Sequence, residues 1–151
     1  EGTRIRITGE GEAGVRGGTS GDLYIFVSVK PHDIFIRENA DLHCEVPIKM
    51  STAILGGEII VPTIDGSKAK IKIPSGTQQG DKFRLRNKGM TRMGSDAPDG
   101  DMYVHSKIEM PVNLSKRQKE ILNEFEDLSD EKSNPEEQSF VDKVKNFWDK
   151  F

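Results

Sequence analysis

Gly21-Asp22-Leu23-Tyr24-Ile25-Phe26-Val27-Ser28-Val29 returns later in the chain as Gly100-Asp101-Met102-Tyr103-Val104-His105-Ser106-Lys107-Ile108. A second stretch repeats with it. Arg4-Ile5-Arg6-Ile7-Thr8-Gly9-Glu10-Gly11 matches Lys82-Phe83-Arg84-Leu85-Arg86-Asn87-Lys88-Gly89. The offset is 78 residues for one pair (Arg4 to Lys82) and 79 for the other (Gly21 to Gly100). A fixed internal offset marks duplication. The repeated unit reads as strand, glycine-rich loop, Gly-Asp turn, strand. No array of short repeats accompanies it, so two related β-domains in tandem are expected.

The segments around the repeat have strand periodicity. Ile5 and Ile7 alternate with Arg4 and Arg6, as in a half-buried strand. Leu42, Cys44, Val46 and Ile48 lie on one face of another, which makes Cys44 a small buried hydrophobe. Residues 51–57 read as one helical turn with a hydroxyl cap and a glycine stop. Asp65-Gly66 between two apolar runs signals a hairpin whose two turn residues both take positive φ. The glycine run over 9–21 suggests a long loop. It lacks the helix that a phosphate cradle needs, since Leu23 to Val27 is strand.

Pro31 ends the first repeat strand because it lacks a ladder donor. In Ile34-Phe35-Ile36 three apolar residues straddle both faces of an extended segment, so one or two must be exposed or fill a neighbouring pocket. Phe35 then either closes the first domain's core or forms part of an apolar groove. Exposed apolar patches with polar edges mark binding surfaces.

After Pro111 the period changes to that of a helix. Ser115 and Gln118 are spaced as a capping box, and Ile121, Leu122, Phe125 and Leu128 form the apolar face. Residues 129–138 are polar and acidic and read as a linker. Phe140, Val144, Phe147, Trp148 and Phe151 then form one apolar stripe on a short helix. A helix this short is marginal alone in water, so the stripe must dock. It either folds back or pairs with a second copy; the polar linker and four aromatics favour a homodimer. Its polar face balances Asp142 and Asp149 against Lys143 and Lys145, which argues against a membrane surface.

Composition narrows the function class. The chain has 151 residues and a net charge of −3, with both signs mixed along its length, which disfavours nucleic acid as a partner. The single cysteine permits no internal disulfide and no cysteine zinc site, and suits a reducing compartment; the cytoplasm is expected. No apolar run reaches the ~20 residues of a membrane helix. His43 and His105 alternate with apolar strand residues, so solvent-facing side chains are the default. His32, in Pro31-His32-Asp33, is expected to hydrogen-bond the backbone. No constellation meets the geometry of a catalytic site, so no enzyme is expected.

Several stretches taken together resemble the carboxy-terminal substrate-binding region of the bacterial DnaJ (Hsp40) co-chaperones. They are the run from Gly2 to Gly14, Gly21-Asp22-Leu23-Tyr24, Lys30 to Arg37, Leu55-Gly56-Gly57-Glu58, Val61 to Gly66, Gly89-Met90 and Gly100 to Val104. The resemblance runs the length of the chain. It implies a mainly β fold: two tandem related β-sandwich domains, the first truncated at its N-terminus, followed by C-terminal α-helices. The domains then fall at 1–38 and 39–113, with a closing helix at 114–128, a linker at 129–138 and a dimerisation helix at 139–151. A start at Glu1 without Met, and about 35 residues (41–75) before the second copy that have no counterpart before the first, point to a fragment of a longer protein.

The resemblance also implies a function. Unfolded polypeptide clients are bound and passed to Hsp70 (DnaK) by the full-length protein, with Phe35 matching the groove phenylalanine and Ile34 and Ile36 as its neighbours. No cofactor is expected in these residues; zinc is expected in the family's cysteine-rich domain, absent here. The His-Pro-Asp motif of the family's J domain is absent too. The rival reading is a β-rich structural or assembly module without client binding.

Overall fold

The computed structural model describes residues 2–92, 94, 98–130 and 132–149. They fall into two units, one reaching to Glu109 and the other starting at Met110.

The first unit is built from strands. β1 (Arg4–Ile7) and β2 (Leu23–Phe26) form an antiparallel pair, with Arg6 opposite Tyr24 and Ile7 opposite Leu23. β3 (Ile36–Glu38), β4 (Asp41–Lys49), β8 (Met102–Glu109) and β7 (Lys82–Leu85) make a four-stranded sheet in the order β3-β4-β8-β7. β5 (Gly57–Pro62) and β6 (Lys68–Ile73) form a separate hairpin. The β4–β8 pair is parallel, with Leu42 opposite Met102; the other pairs are antiparallel.

Alternation fixes which face is buried. Leu42, Cys44 and Ile48 of β4 meet Met102 and Val104 of β8, and Val61, Ile71 and Ile73 of the hairpin complete one core with Phe35 and Ala53. Burying a side chain of this size contributes about 1.5–3 kcal/mol, so the sandwich of hairpin on sheet is held mainly by these contacts. Cys44 is in that core, and burial pushes its thiol pKa up.

Local chemistry differs from the sequence reading at one helix cap and one turn. α1 (Met50–Leu55) starts at Lys49 with no side-chain cap, while Gly56 at φ 80° provides the expected stop. In the β5–β6 turn only Gly66 has positive φ, at 81°. Thr63 donates to the Ser67 carbonyl at 3.0 Å and Gly66 donates to the Thr63 carbonyl at 2.9 Å. The loop is therefore the three residues Ile64 to Gly66, with Gly66 taking the left-handed position that such loops require. Asp65 accepts from Thr63 Oγ1 and from the Ser67 N–H, and these bonds hold its carboxyl well below the usual range.

In the second unit α2 (Lys116–Leu128) has the full capping box. Ser115 Oγ accepts from the Gln118 N–H, and Gln118 Oε1 accepts from the Ser115 N–H. α3 (Pro135–Trp148) starts at Pro135, inside the stretch read as linker. Proline has no N–H to lose in a first turn, and Glu136 and Glu137 favour the positive helix end. Among the described residues, no helix is long and apolar enough to cross a membrane.

Candidate functional site

The repeat is one hydrogen-bonded clamp built twice. In the first copy Asp22 accepts from Arg6 Nε at 2.7 Å and from the Gly9 N–H at 3.1 Å. In the second Asp101 accepts from Arg84 Nε at 2.7 Å and from the Asn87 N–H at 2.9 Å. Gly9 and Asn87 both have positive φ, which turns each N–H toward its carboxylate. Gly11 donates to Gly21 O and Gly89 to Gly100 O, each at 2.8 Å. A Cβ at either glycine would run into the backbone it closes on. The Asn87 N–H and the Arg84 guanidinium hold the Asp101 carboxyl below its ordinary pKa. The Gly-Asp pair thus recurs because the carboxylate ties a loop to two strands.

The surroundings of the copies differ. β8 has β4 along one edge and the hairpin beneath it, and buries Met102 and Val104. Among the described residues β1 and β2 pair only with each other, and all eight of their residues are exposed. Ile5 and Ile7 are therefore exposed and not half-buried as expected; among the described residues no second layer covers either face. Leu23, Tyr24, Ile25 and Phe26 add an apolar surface that sequence reasoning missed, because alternation shows which residues share a face and not whether that face is covered.

The Ile34–Ile36 segment follows. His32 Nδ1 accepts from the Ile34 N–H at 3.1 Å and the Phe35 N–H at 3.3 Å, the backbone role expected of it. Its ring lies 5.1 Å from that of Phe35. The turn drives Phe35 inward, where it is 6% exposed and part of the core, and leaves Ile34 48% and Ile36 72% exposed on either side. Ile36 opens β3, the edge strand of the four-stranded sheet.

His43 and His105 are half-buried, not solvent-facing as expected. Their rings converge on the outer face of the sheet, with His43 Nδ1 and His105 Nε2 3.0 Å apart. The parallel register explains it: His43 lies opposite Tyr103, on which it stacks at 5.1 Å, and Glu45 lies opposite His105. Burial, then the neighbouring charges of His43 and Lys82, lower the His105 pKa.

On α3, Phe140, Phe147 and Trp148 are exposed and Val144 is half-buried, so the stripe read from the sequence is present on this helix; Phe151 lies outside the described residues.

Two family profiles account for the chain. The DnaJ C terminal domain matches residues 1–111 and the chaperone protein DnaJ C-terminal region matches 117–150. The chain belongs to the DnaJ family. It is 57% identical over 152 aligned positions to the chaperone protein DnaJ of Paramagnetospirillum magneticum, covering 99% of this chain and 39% of that relative. It is 55% identical to those of a Ruegeria species and of Agrobacterium fabrum, covering 98% and 99% of this chain and 38% and 39% of the relatives. The chain thus spans about two fifths of the length of the DnaJ chaperones it matches. The expected family and the mainly β fold with C-terminal helices both hold.

Proposed function

We propose that this chain is the client-capturing and dimerising part of a DnaJ co-chaperone. Residues 1–38 and 39–113 then act as two related β-domains, the first lending Phe35 to the core and β3 to the sheet edge of the second, and the full-length cytoplasmic protein passes its clients to Hsp70. The observation that carries the reading is the Ile34–Ile36 segment. An anchored turn buries Phe35 and leaves two isoleucines exposed beside an edge strand. An extended client segment adds main-chain hydrogen bonds along such an edge, while apolar side chains give the contact area. Ile34 and Ile36 touch the client in this reading, and Phe35 holds them in place. The work is binding, with no bond made or broken in the client.

Dimerisation is assigned to Phe140, Val144, Phe147, Trp148 and Phe151. The support is an amphipathic α3 with no buried residue. Two weak client sites on one dimer raise the effective concentration of the second contact. Deleting residues 135–151 is expected to give monomers in light scattering; a persisting dimer contradicts the assignment.

Zinc belongs, in this reading, to a cysteine-rich domain outside these residues. The residues here do not fit it. Cys44 is the chain's one cysteine and lies in the core, and among the described residues no three His, Cys, Asp or Glu side chains converge.

The test is the pair Ile34→Ser and Ile36→Ser in one variant. Suppression of the aggregation of a denatured client is expected to fall several-fold with the melting temperature unchanged. Unchanged suppression overturns the proposal and favours a structural module without client binding.

A further inference from the structure

β6 is an open strand edge; among the described residues it pairs only with β5. Thr63 donates to the Ser67 carbonyl, so positions 63 and 67 form a hydrogen-bonded pair. Such pairs alternate with non-bonded ones along an antiparallel ladder. The register from Pro62 opposite Lys68 to Gly57 opposite Ile73 then assigns every strand residue. Ala69, Ile71 and Ile73 turn their backbone groups toward β5. Lys68, Lys70 and Lys72 turn theirs to the open side.

The same three lysines have exposed side chains, on the face opposite the core-packed Ala69, Ile71 and Ile73. One row of residues therefore carries both the free backbone groups and the positive charge. Glu58 pairs with Lys70 at 2.5 Å; among the described residues no carboxylate lies in ion-pair reach of Lys68 or Lys72.

We propose that β6 is a docking edge for an extended acidic segment of another protein, with Asp or Glu at every second residue. The strand period of two sets alternate acidic side chains over Lys68, Lys70 and Lys72, while the added backbone continues the ladder. Edge lysines are also a known device against unwanted strand pairing. The two roles share one physical cause, since the row that repels a neutral or basic strand selects an acidic one. The inference goes beyond client capture: it uses a different strand and a charge ladder in place of an apolar contact.

The test uses a short fluorescent peptide of alternating Glu and Val, titrated with the 151-residue chain and read by anisotropy. An isomer of the same composition with its glutamates in one block is the control. The alternating peptide is expected to bind more tightly than the control. Changing Lys68, Lys70 and Lys72 together to Ser is expected to weaken it about tenfold, from the modest worth of exposed ion pairs summed over three. Changing all three to Arg is expected to preserve it. Lys70→Pro is expected to weaken it more than Lys70→Ser, because only Pro removes the outward N–H as well as the charge. Absence of binding, equal binding of the block isomer, or equal binding by the triple Ser variant overturns the proposal. Self-association of the triple Ser variant with undiminished peptide binding overturns it too, and leaves the lysines as edge protection alone.

Discussion

Leu23 and Met102 hold the same place in the two copies of the repeat. Each follows the Gly-Asp pair, and each lies opposite the last residue of its partner strand, Ile7 or Leu85. Yet Leu23 is exposed and Met102 is fully buried. The same holds one step on, where exposed Ile25 corresponds to buried Val104. The clamp around them is the same to within a few tenths of an ångström. A local network of one carboxylate, one guanidinium and one left-handed N–H therefore has the same geometry in a strand pair that packs on a core and in one whose side chains are exposed among the described residues. Burial is a separate property, supplied by β4 and the β5–β6 hairpin. In the second copy the strand pair is a floor for a core; in the first, among the described residues, the apolar side chains are exposed.

The largest expected effect separates the copies by stability. Met102→Ala is expected to cost about 2–5 kcal/mol, since it empties a fully packed site. Leu23→Ala is expected to cost under about 1 kcal/mol. Urea denaturation followed by far-ultraviolet circular dichroism measures both, and equal losses would break the contrast. A smaller effect separates them by pH. His105 stands where the first copy has the exposed Phe26. Its folded-state pKa lies below the ordinary imidazole value, so the unfolded chain binds more protons than the folded one as pH falls through about 6.5. Stability is therefore expected to fall from neutral pH toward pH 5, and to fall less in His105→Phe. A wild-type midpoint that rises over that range contradicts the sign.

Much of this was legible in the sequence, and the limits have physical reasons. The offset repeat named the two strand pairs, and the capping box of Ser115 and Gln118 gave the start of α2 directly. Alternation placed Leu42, Cys44 and Ile48 together. Those signals are local, carried by neighbours in the chain. What was not legible depends on partners far away. Whether Ile5 and Ile7 are covered depends on a second layer, not on their own period. The convergence of His43 with His105 needed the parallel register of β4 on β8, across 62 residues. Phe35 was open between core and groove because an apolar triplet shows that some side chains must face out, not which; the structure shows it buried, behind the His32 turn. The start of α3 at Pro135 was missed because a polar, acidic run with proline has the composition of a linker and also of a helix first turn.

The central claim is that client segments are captured where the chain turns Ile34 and Ile36 outward at the β3 edge. Residue-resolved amide hydrogen exchange, with and without an unfolded apolar polypeptide, tests it most directly. Leu42 donates to the Asp101 carbonyl, away from β3, so in the pair Arg37–Leu42 the Arg37 N–H faces the open edge. Slowed exchange at Arg37, lost in the variant carrying Ile34→Ser and Ile36→Ser, is the predicted result. Exchange at Arg37 that does not change when the polypeptide is bound would contradict it.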